Sequence, residues 1–221
     1  MTKKAYYAVV AGELAPGSRI SDKQLSKIPD LIRASFQTVN RLVEGSGKLS
    51  YEIIRMDEFL GLSESPLHCL RSVIMLFSAF RFLSYKELNE RIDLRISLGI
   101  GPVEFAQEHL RESDGTAFRA ATESNKAMKR NQRIKIITPN EALNAELELT
   151  CHFMDILIHD WSDEQAEAMF LNLTGRNQME ISQMLNISQP AVNRRLKAAH
   201  FDTIHKFINR YEKIIKTANS Q

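Results

Sequence analysis

The chain has 221 residues, 43% of them apolar and 25% charged, and its formal net charge is +2. This composition is ordinary for a soluble globular protein of one large or two small domains, and it excludes a polycation. No stretch reaches the ~20 consecutive apolar residues that cross a bilayer, and Met-Thr-Lys-Lys at the N-terminus precedes a short strand-like run rather than a signal peptide. Cys69 and Cys151 lack metal-ligand spacing and are expected to be buried thiols. We therefore expect a cytoplasmic protein with no membrane partner.

The first 137 residues predict a mixed α+β domain. The apolar run 5–11 is typical of a buried strand, and a helix is predicted from Asp22 to about Glu44, with a kink or a late start at Pro29. The next predicted elements are strands at 48–54 and 58–62 joined by a tight turn, a helix at 66–85, a strand at 94–100 with 103–105 beside it, a helix at 116–128 and a strand at 133–137. The order β-α-β-β-α-β, with one helix and one strand appended, is the ferredoxin-like pattern with its helices on one face of the sheet.

The segment Asp114-Gly-Thr-Ala-Phe118 lies at the predicted start of the helix at 116–128. Ser113 or Asp114 is expected to cap this helix, because short polar side chains accept hydrogen bonds from the first free N–H groups. A helix N-terminus also attracts anions, so a ligand contact is the alternative.

Residues 138–160 predict a helix that connects two domains. Thr138 is expected to be its N-cap, with Pro139 at the first helical position and Glu141 at the third. No Gly/Ser linker follows, so we expect a stiff joint. His152 and His159 share one face of this helix and are expected to be packing or surface residues rather than metal ligands.

Residues 161–221 predict a helix-turn-helix unit preceded by one further helix. Ser162 and Gln165 have capping-box spacing, and Gly175 is expected to end that preceding helix. The first helix of the motif is predicted at 178–185, where Ile181, Met184 and Leu185 recur at helical spacing.

The second helix of the motif is predicted to follow a turn at Asn186. Asn tolerates the left-handed backbone conformation, Ser188 is a good N-cap, and Pro190 fits the first turn of a helix. Val192 and Leu196 are then expected to face inward.

Polar and basic residues remain on the outer face of this motif. From Arg176 to Lys216 there are eight Lys and Arg against three Asp and Glu, so positive charge is concentrated here. Such side chains can pair with base edges or phosphates in the major groove. The residues predicted to contact DNA are Gln178, Ser188, Gln189, Asn193, Arg194, Arg195 and Lys197. The alternative is an ordinary helical hairpin with a solvated polar face.

The final predicted helix, 201–216, carries more apolar side chains than so small a unit needs to cover. Either dimerisation or docking on the first domain would bury that apolar stripe.

Two resemblances to known families follow from these motifs. The three-helix unit at about 161–200 looks like region 4 of sigma factors and like LuxR-type domains. Nearly the whole chain resembles the SatD-like family, which pairs an N-terminal domain with a C-terminal helix-turn-helix. The motifs that carry this second resemblance are Tyr7-Ala-Val-Val-Ala-Gly-Glu13 with Gly17-Ser-Arg19, Asp57-Glu-Phe-Leu-Gly-Leu62, Arg95-Ile-Ser-Leu-Gly-Ile-Gly101 and Ser113-Asp-Gly-Thr-Ala-Phe118.

The resemblance extends to the palm domain of GGDEF-type diguanylate cyclases and class III nucleotide cyclases. It implies that Glu13 and Asp57, with Glu58 beside them, would hold Mg²⁺ together with a nucleotide. Two positions depart from the family pattern, because Glu13 stands where Asp is usual and Met56 where Gly is usual. The alternative is structural: Asp57 and Glu58 are turn residues, and Glu13 is a loop acid paired with Arg19 or Arg55.

These observations predict a DNA-binding transcriptional regulator with no catalytic residue assigned. It is expected to bind double-stranded DNA as a homodimer, and its palm-like domain, 1–137, is expected to dimerise or to sense a small ligand such as a nucleotide. The alternative is a metal-dependent, nucleotide cyclase-like enzyme with an accessory DNA-binding domain at 161–221. A third possibility is that the helix-turn-helix docks only on proteins.

Overall fold

A five-stranded sheet lies at the centre of the first half of the chain in the computed structural model, which describes residues 5–17, 20–43 and 47–218. Its strands stand in the order β2-β3-β1-β4-β5, and all neighbours are antiparallel except the parallel pair β4 and β5. The strands are β1 (Tyr7–Leu14), β2 (Ser50–Ile53), β3 (Glu58–Ser63), β4 (Leu94–Gly101) and β5 (Ile134–Ile137). The predicted strand and helix order is confirmed.

Nine α-helices are present in the part of the chain that the structure describes. They are α1 (Asp22–Leu25), α2 (Ile28–Leu42), α3 (Pro66–Leu88), α4 (Thr116–Lys126), α5 (Glu141–His159), α6 (Asp163–Leu173), α7 (Gln178–Leu185), α8 (Gln189–Ala198) and α9 (Phe201–Ala218). The helix predicted from Asp22 begins there as α1 but is interrupted after Leu25, and α2 begins at Ile28 with Pro29 in its first turn, so the irregularity predicted at Pro29 is a break between two helices. The predicted helix end at Glu44 lies outside the described residues.

Helices cover both faces of the sheet. Alternate residues of β1 point to opposite sides, so that Ala8 and Val10 join the large core under α2 and α3. Val9 and Ala11 join a smaller cluster beneath α4. The prediction that the helices share one face is therefore wrong for α4. That helix approaches β4 closely at Gly99, where a Cβ atom would come within 2.2 Å of a backbone carbonyl.

Two local predictions between β4 and α5 are also wrong. Phe105 does not pair beside β4 but forms an isolated bridge with Asp114. The N-cap of α5 is Asn140, whose side chain accepts a hydrogen bond from the N–H of Leu143. Thr138 instead exchanges hydrogen bonds with the side chain of Asn144. The Asn144 side chain thus bonds to both the N–H and the carbonyl of Thr138. These bonds hold Thr138 outside the helix, which begins at Glu141.

The central helix α3 joins the two halves of the molecule. By length and composition alone it could cross a membrane, but most of its side chains are buried within the protein. The sheet packs against one part of α3, and α6 and α9 pack against another. Tyr211 of α9 donates its buried hydroxyl to the carbonyl of Pro66 at 2.6 Å. Of the two alternatives for the apolar stripe of the last helix, the structure shows docking on the first half of the chain, and one apolar core runs through both halves.

A buried arginine in α3 holds the connection between α5 and α6. Arg81 donates through Nε to Asp93 at 2.8 Å and through Nη1 to the carbonyls of Ile158 and Trp161 at 2.6 and 2.9 Å. Burial lowers the pKa of Arg81 to about 10, so the guanidinium remains charged at neutral pH. The Trp161 indole in turn donates to the carbonyl of Ala199 at 3.0 Å. We call these residues, Arg81, Asp93, Ile158 and Trp161, the Arg81 junction.

Arg81→Lys is expected to lower the free energy of unfolding by about 3 kcal/mol, because a lysine ammonium cannot reach Asp93 and both carbonyls together. Urea unfolding followed by Trp161 fluorescence and by far-UV circular dichroism measures the change. Arg71→Lys is the control, since Arg71 lies partly exposed on the same helix, 3.5 Å from Glu212. Equal effects of the two substitutions would contradict the role given to Arg81.

Candidate functional site

The α7–α8 unit has the local geometry that its sequence predicts. Asn186 adopts the left-handed conformation with φ 51°, and the Ser188 hydroxyl accepts a hydrogen bond from the N–H of Ala191. Gly175 ends the preceding helix region with φ 87°, where a side chain would be strained. Asn177 was not predicted as the N-cap of α7. Its side chain accepts from two backbone N–H groups while Glu180 accepts from its own, a capping box readable from that spacing.

Apolar contacts fix the angle between α7 and α8. Ile181, Val192 and Leu196 are fully buried. The prediction that Val192 and Leu196 face inward is therefore confirmed. Met184 instead leaves 54% of its surface exposed, although it shares the helical periodicity. The indole of Trp161 holds the end of α8 through the Ala199 carbonyl. The unit is therefore tied to the Arg81 junction at one end and leaves its other face open to solvent.

The predicted DNA-contacting residues fall into two groups. Ser188, Gln189, Arg194 and Lys197 are exposed. Gln178 and Asn193 are partly buried and bond to each other, with Asn193 Nδ2 donating to Gln178 Oε1 at 3.2 Å. Arg195 is also partly buried and lies 3.8 Å from Glu164 of α6. The exposed group defines what we call the α8 face, whereas the other three residues also support contacts within the unit.

Two of the three acids predicted to hold a metal, Glu13 and Glu58, lie in one row of the sheet, whereas Asp57 precedes β3. Glu13 on β1 is the direct register partner of Glu58 on β3 and of Arg95 on β4. The Arg95 guanidinium contacts Glu13 at 2.6 Å through both Nε and Nη2. The structural alternative, a loop acid paired with Arg19 or Arg55, is corrected in two respects: Glu13 belongs to a strand, and its described partner is Arg95. Arg19 itself lies outside the described residues.

The other two predicted acids are at the β2–β3 turn. Arg55 lies 3.4 Å from Glu58 across this turn. Asp57 contributes its backbone carbonyl, which accepts from the N–H of Leu14 at 3.2 Å. Met56 is largely exposed beside it. Asp57 is therefore a turn residue, as the structural alternative predicts, whereas Glu58 is the first residue of β3, and both also contact β1.

A cavity of about 280 Å³ borders these acids. Glu13 and Glu58 line it together with Arg111, Asn125 and Lys126. Among the described residues, no group of three or more His, Cys, Asp or Glu side chains is placed to hold a metal ion. The carboxylate of Glu13 is engaged by a guanidinium, which supplies the positive charge that a divalent cation would bring. The donor set as arranged does not fit Mg²⁺.

A carboxylate of the protein itself, that of Glu104, occupies the N-terminus of α4. Gly115 is the N-cap, and no side chain from residues 113 or 114 caps the helix. The carboxylate of Glu104 accepts instead from the N–H of Thr116 at 2.9 Å. Asp114 accepts through Oδ1 from the N–H of the N-cap residue Gly115 at 2.7 Å and pairs with Arg119 at 2.8 Å. The expected cap by Ser113 or Asp114 is wrong, because Glu104 from the preceding loop already neutralises this helix end.

A larger cavity of about 570 Å³ lies beside α5, at the joint between the sheet and the last helices. We call it the joint cavity, and its lining residues are Pro16, Arg130, Asn131, Arg133, His152, Asp155, Ile156, His159 and Asp160. Asp155 is buried here, and its Oδ1 accepts from the N–H groups of Arg133 and Ile134, both at 2.9 Å. Sequence reasoning missed this cavity because its walls come from three separate segments.

Comparison with known proteins gives likenesses to solved structures but no family. No protein-family model matches the chain, so neither a SatD-like nor a helix-turn-helix family is supported by such a match. No curated protein matches it either. The chain is similar to the catalytic core of a rhodopsin-guanylyl cyclase with converted specificity, solved in complex with ATPαS, at 19% identity and a TM-score of 0.44. The alignment covers 60% of this chain and 77% of that one. At this score the likeness does not bear on function.

The buried carboxyl of Asp155 generates a prediction about pH. Burial raises its pKa from 3.8 to about 6, against the opposing effect of its two backbone donors. Between these two pKa values the folded protein binds more protons than the unfolded chain, so the free energy of unfolding rises as pH falls through 6. Asp155→Asn keeps an oxygen acceptor but cannot bind that proton.

Between pH 7.5 and pH 5, the wild type is expected to gain about 1 kcal/mol of stability relative to Asp155→Asn. Urea unfolding at both pH values measures the difference. Glu148→Gln is the matched control, since Glu148 is exposed on the same helix. A stability difference that does not change with pH would refute the assignment to Asp155.

Proposed function

We propose that the chain is a DNA-binding transcriptional regulator that acts as a homodimer. In this proposal residues 161–221 form a helix-turn-helix DNA-binding domain. The palm-like part at 1–137 dimerises or senses a small ligand such as a nucleotide. The protein works in the cytoplasm, where its partner is double-stranded DNA.

The observation that carries the proposal is the α8 face. Gln189, Arg194 and Lys197 are exposed. Within the described parts of the chain, their side chains make no hydrogen bond or ion pair of their own. Buried Val192 and Leu196 hold the inner side of α8 in place. The exposed cationic and amide groups on its outer side can therefore approach the major groove of DNA without first breaking contacts within the protein. Amide and guanidinium groups match the edges of adenine and guanine, and Lys binds phosphate.

The partly buried residues have a supporting role in this proposal. The bond between Gln178 and Asn193 joins the first turn of α7 to the middle of α8. It leaves one polar group free on each amide, so either side chain can still contact DNA. Arg195 is drawn towards Glu164, and DNA phosphate would compete with that acid for it. We therefore assign base contacts first to Gln189 and Arg194.

The local charge agrees with a polyanionic partner. Eight Lys and Arg stand against three Asp and Glu between Arg176 and Lys216, although the whole chain has a net charge of only +2. Phosphate contacts of this kind supply affinity that falls with salt. One small module reads a short site weakly, so pairing of two copies on two half-sites supports a homodimer.

Arg194→Ala is expected to weaken binding to a selected DNA site by about 1–3 kcal/mol and to relax base preference at one position. Lys197→Ala is expected to weaken specific and non-specific binding alike and to reduce the salt slope by about 1. The site is first selected from a random DNA library, and affinities are then measured by fluorescence anisotropy at several salt concentrations.

Lys213→Ala is the control, because Lys213 is exposed on α9, outside the α8 face. It should change affinity less than either α8 substitution. Absence of salt-sensitive DNA binding by the wild type would refute the proposed function. Capture of a protein instead of DNA by the α8 face would favour the protein-docking alternative.

The second candidate is a metal-dependent, nucleotide cyclase-like enzyme, favoured by one specific observation. Glu13 and Glu58 stand side by side and line a cavity that also presents Arg111 and Lys126, side chains suited to phosphates. The contact between Glu13 and Arg95 opposes it, because metal binding would have to displace a guanidinium at 2.6 Å.

Incubation with each nucleoside triphosphate and Mg²⁺ or Mn²⁺ is therefore expected to yield no cyclic or condensed product. Chromatography of the reaction mixture measures this. Turnover that is lost in Asp57→Asn but kept in Glu64→Gln, a change of an exposed acid after β3, would establish the enzyme instead.

A further inference from the structure

The joint cavity is separate from both the α8 face and the cavity beside Glu13. One wall is Pro16, which follows β1, and another is the turn between α4 and β5 with Arg130 and Asn131. The third wall is one side of α5, from His152 to His159. A ligand held here would therefore contact the sheet region and α5 at once.

The rim of this cavity is rich in hydrogen-bond donors. Arg130, Asn131, His152 and His159 are all exposed. In the parts of the chain that the structure describes, none of these four side chains has a hydrogen bond or an ion pair. The exposed acid on the rim is Asp160, while the Oδ1 atom of the buried Asp155 is already engaged by two N–H groups. A guanidinium with two imidazoles favours an oxyanion over a cation.

A chain of ion pairs and hydrogen bonds leads from this cavity to the end of α8. Arg133 in the cavity wall lies 3.6 Å from Asp93, and Asp93 lies 2.7 Å from Arg81. Arg81 donates to the carbonyls of Ile158 and Trp161. Trp161 donates to the carbonyl of Ala199, directly after α8. Each step joins charged or backbone groups that are buried. Water cannot replace a partner that moves away, so a displacement at one end is expected to move the next group in the chain.

We propose that the joint cavity binds a small ligand through its phosphate or carboxylate group and that this binding alters DNA affinity through the Arg81 junction. Arg130 and His152 would hold the oxyanion, with His159 and Asn131 completing its shell. A ligand that contacts both Arg130 and α5 binds more tightly to the conformation in which these two groups lie at one particular distance. Such a difference in affinity between two conformations is what coupling between two sites requires. The second half of the inference rests on the proposed DNA-binding function, whereas ligand binding does not.

The test of binding uses the full chain and its single tryptophan, Trp161, which lies in the Arg81 junction. Inorganic phosphate, adenosine monophosphate and succinate are titrated separately while chloride keeps ionic strength constant. At least one of them is expected to change Trp161 fluorescence in a saturable manner. These three probes distinguish free phosphate, a phosphate monoester and a dicarboxylate.

The double substitution Arg130→Gln with His152→Gln is expected to raise the Kd of that ligand about ten-fold or more, since it removes two charge-assisted donors. Lys129→Gln is the matched control, because Lys129 is exposed next to Arg130 but outside the cavity. No saturable response to any of the three probes would overturn the site. An unchanged Kd in the double variant would do the same, because the anion would then bind elsewhere.

The test of coupling measures DNA affinity with and without a saturating concentration of the same probe. The wild type is expected to change several-fold, as coupling free energies between sites usually allow, and the double variant is expected not to change. Ligand binding with unaltered DNA affinity would overturn the coupling. Ligand binding by a protein that binds no DNA would refute the proposed function but leave the site standing.

Discussion

The arrangement of the two halves depends on the hydrogen bonds and the ion pair that the buried guanidinium of Arg81 makes. A charge in the middle of an apolar helix is costly unless every donor direction meets a partner. Asp93 provides the opposite charge, and the carbonyls of Ile158 and Trp161 provide the remaining acceptors. Those carbonyls stand at and just beyond the end of α5, where carbonyls lack the usual helical donor four residues on, although the Ile158 carbonyl also accepts from the N–H of Trp161 at 3.3 Å. The contact therefore gives the buried guanidinium an opposite charge and two carbonyl acceptors, and it gives the Trp161 carbonyl a charged donor.

This contact determines how rigidly α8 is held. Trp161 is fixed through its carbonyl by Arg81 and through its indole to Ala199, so the turn after α5 and the end of α8 share one side chain. The packing of α6 and α9 against α3 adds apolar contacts around it. Packing and buried hydrogen bonds thus connect the two halves in addition to the helix α5 that the sequence predicts. A helix held in this way keeps a fixed position relative to the end of α5.

The parts of the fold that could be predicted from the sequence are those set by near neighbours along the chain. Ser162 with Gln165, Asn186 and Ser188 act within four residues, so their spacing alone predicts the helix ends. Contacts between distant residues leave no such pattern. Glu104 caps α4 from twelve residues away, and Arg95 reaches Glu13 across 82 positions. Arg81 did carry a readable signal, because an arginine inside the apolar run 73–83 must find buried partners.

The row Glu58, Glu13 and Arg95 explains why acids at palm-like positions need not indicate a metal. Like charges on directly opposed residues of two strands are destabilising, and an opposite charge on the next strand relieves them. β1 has β3 on one side and β4 on the other, so Glu13 meets an acid on the first and a guanidinium on the second. Its carboxylate lies against the guanidinium. With the charge balanced inside the sheet, the strand ends are stable without a bound cation. Glu13 and Glu58 are then accounted for by the charge balance of the sheet, without a metal ion between them.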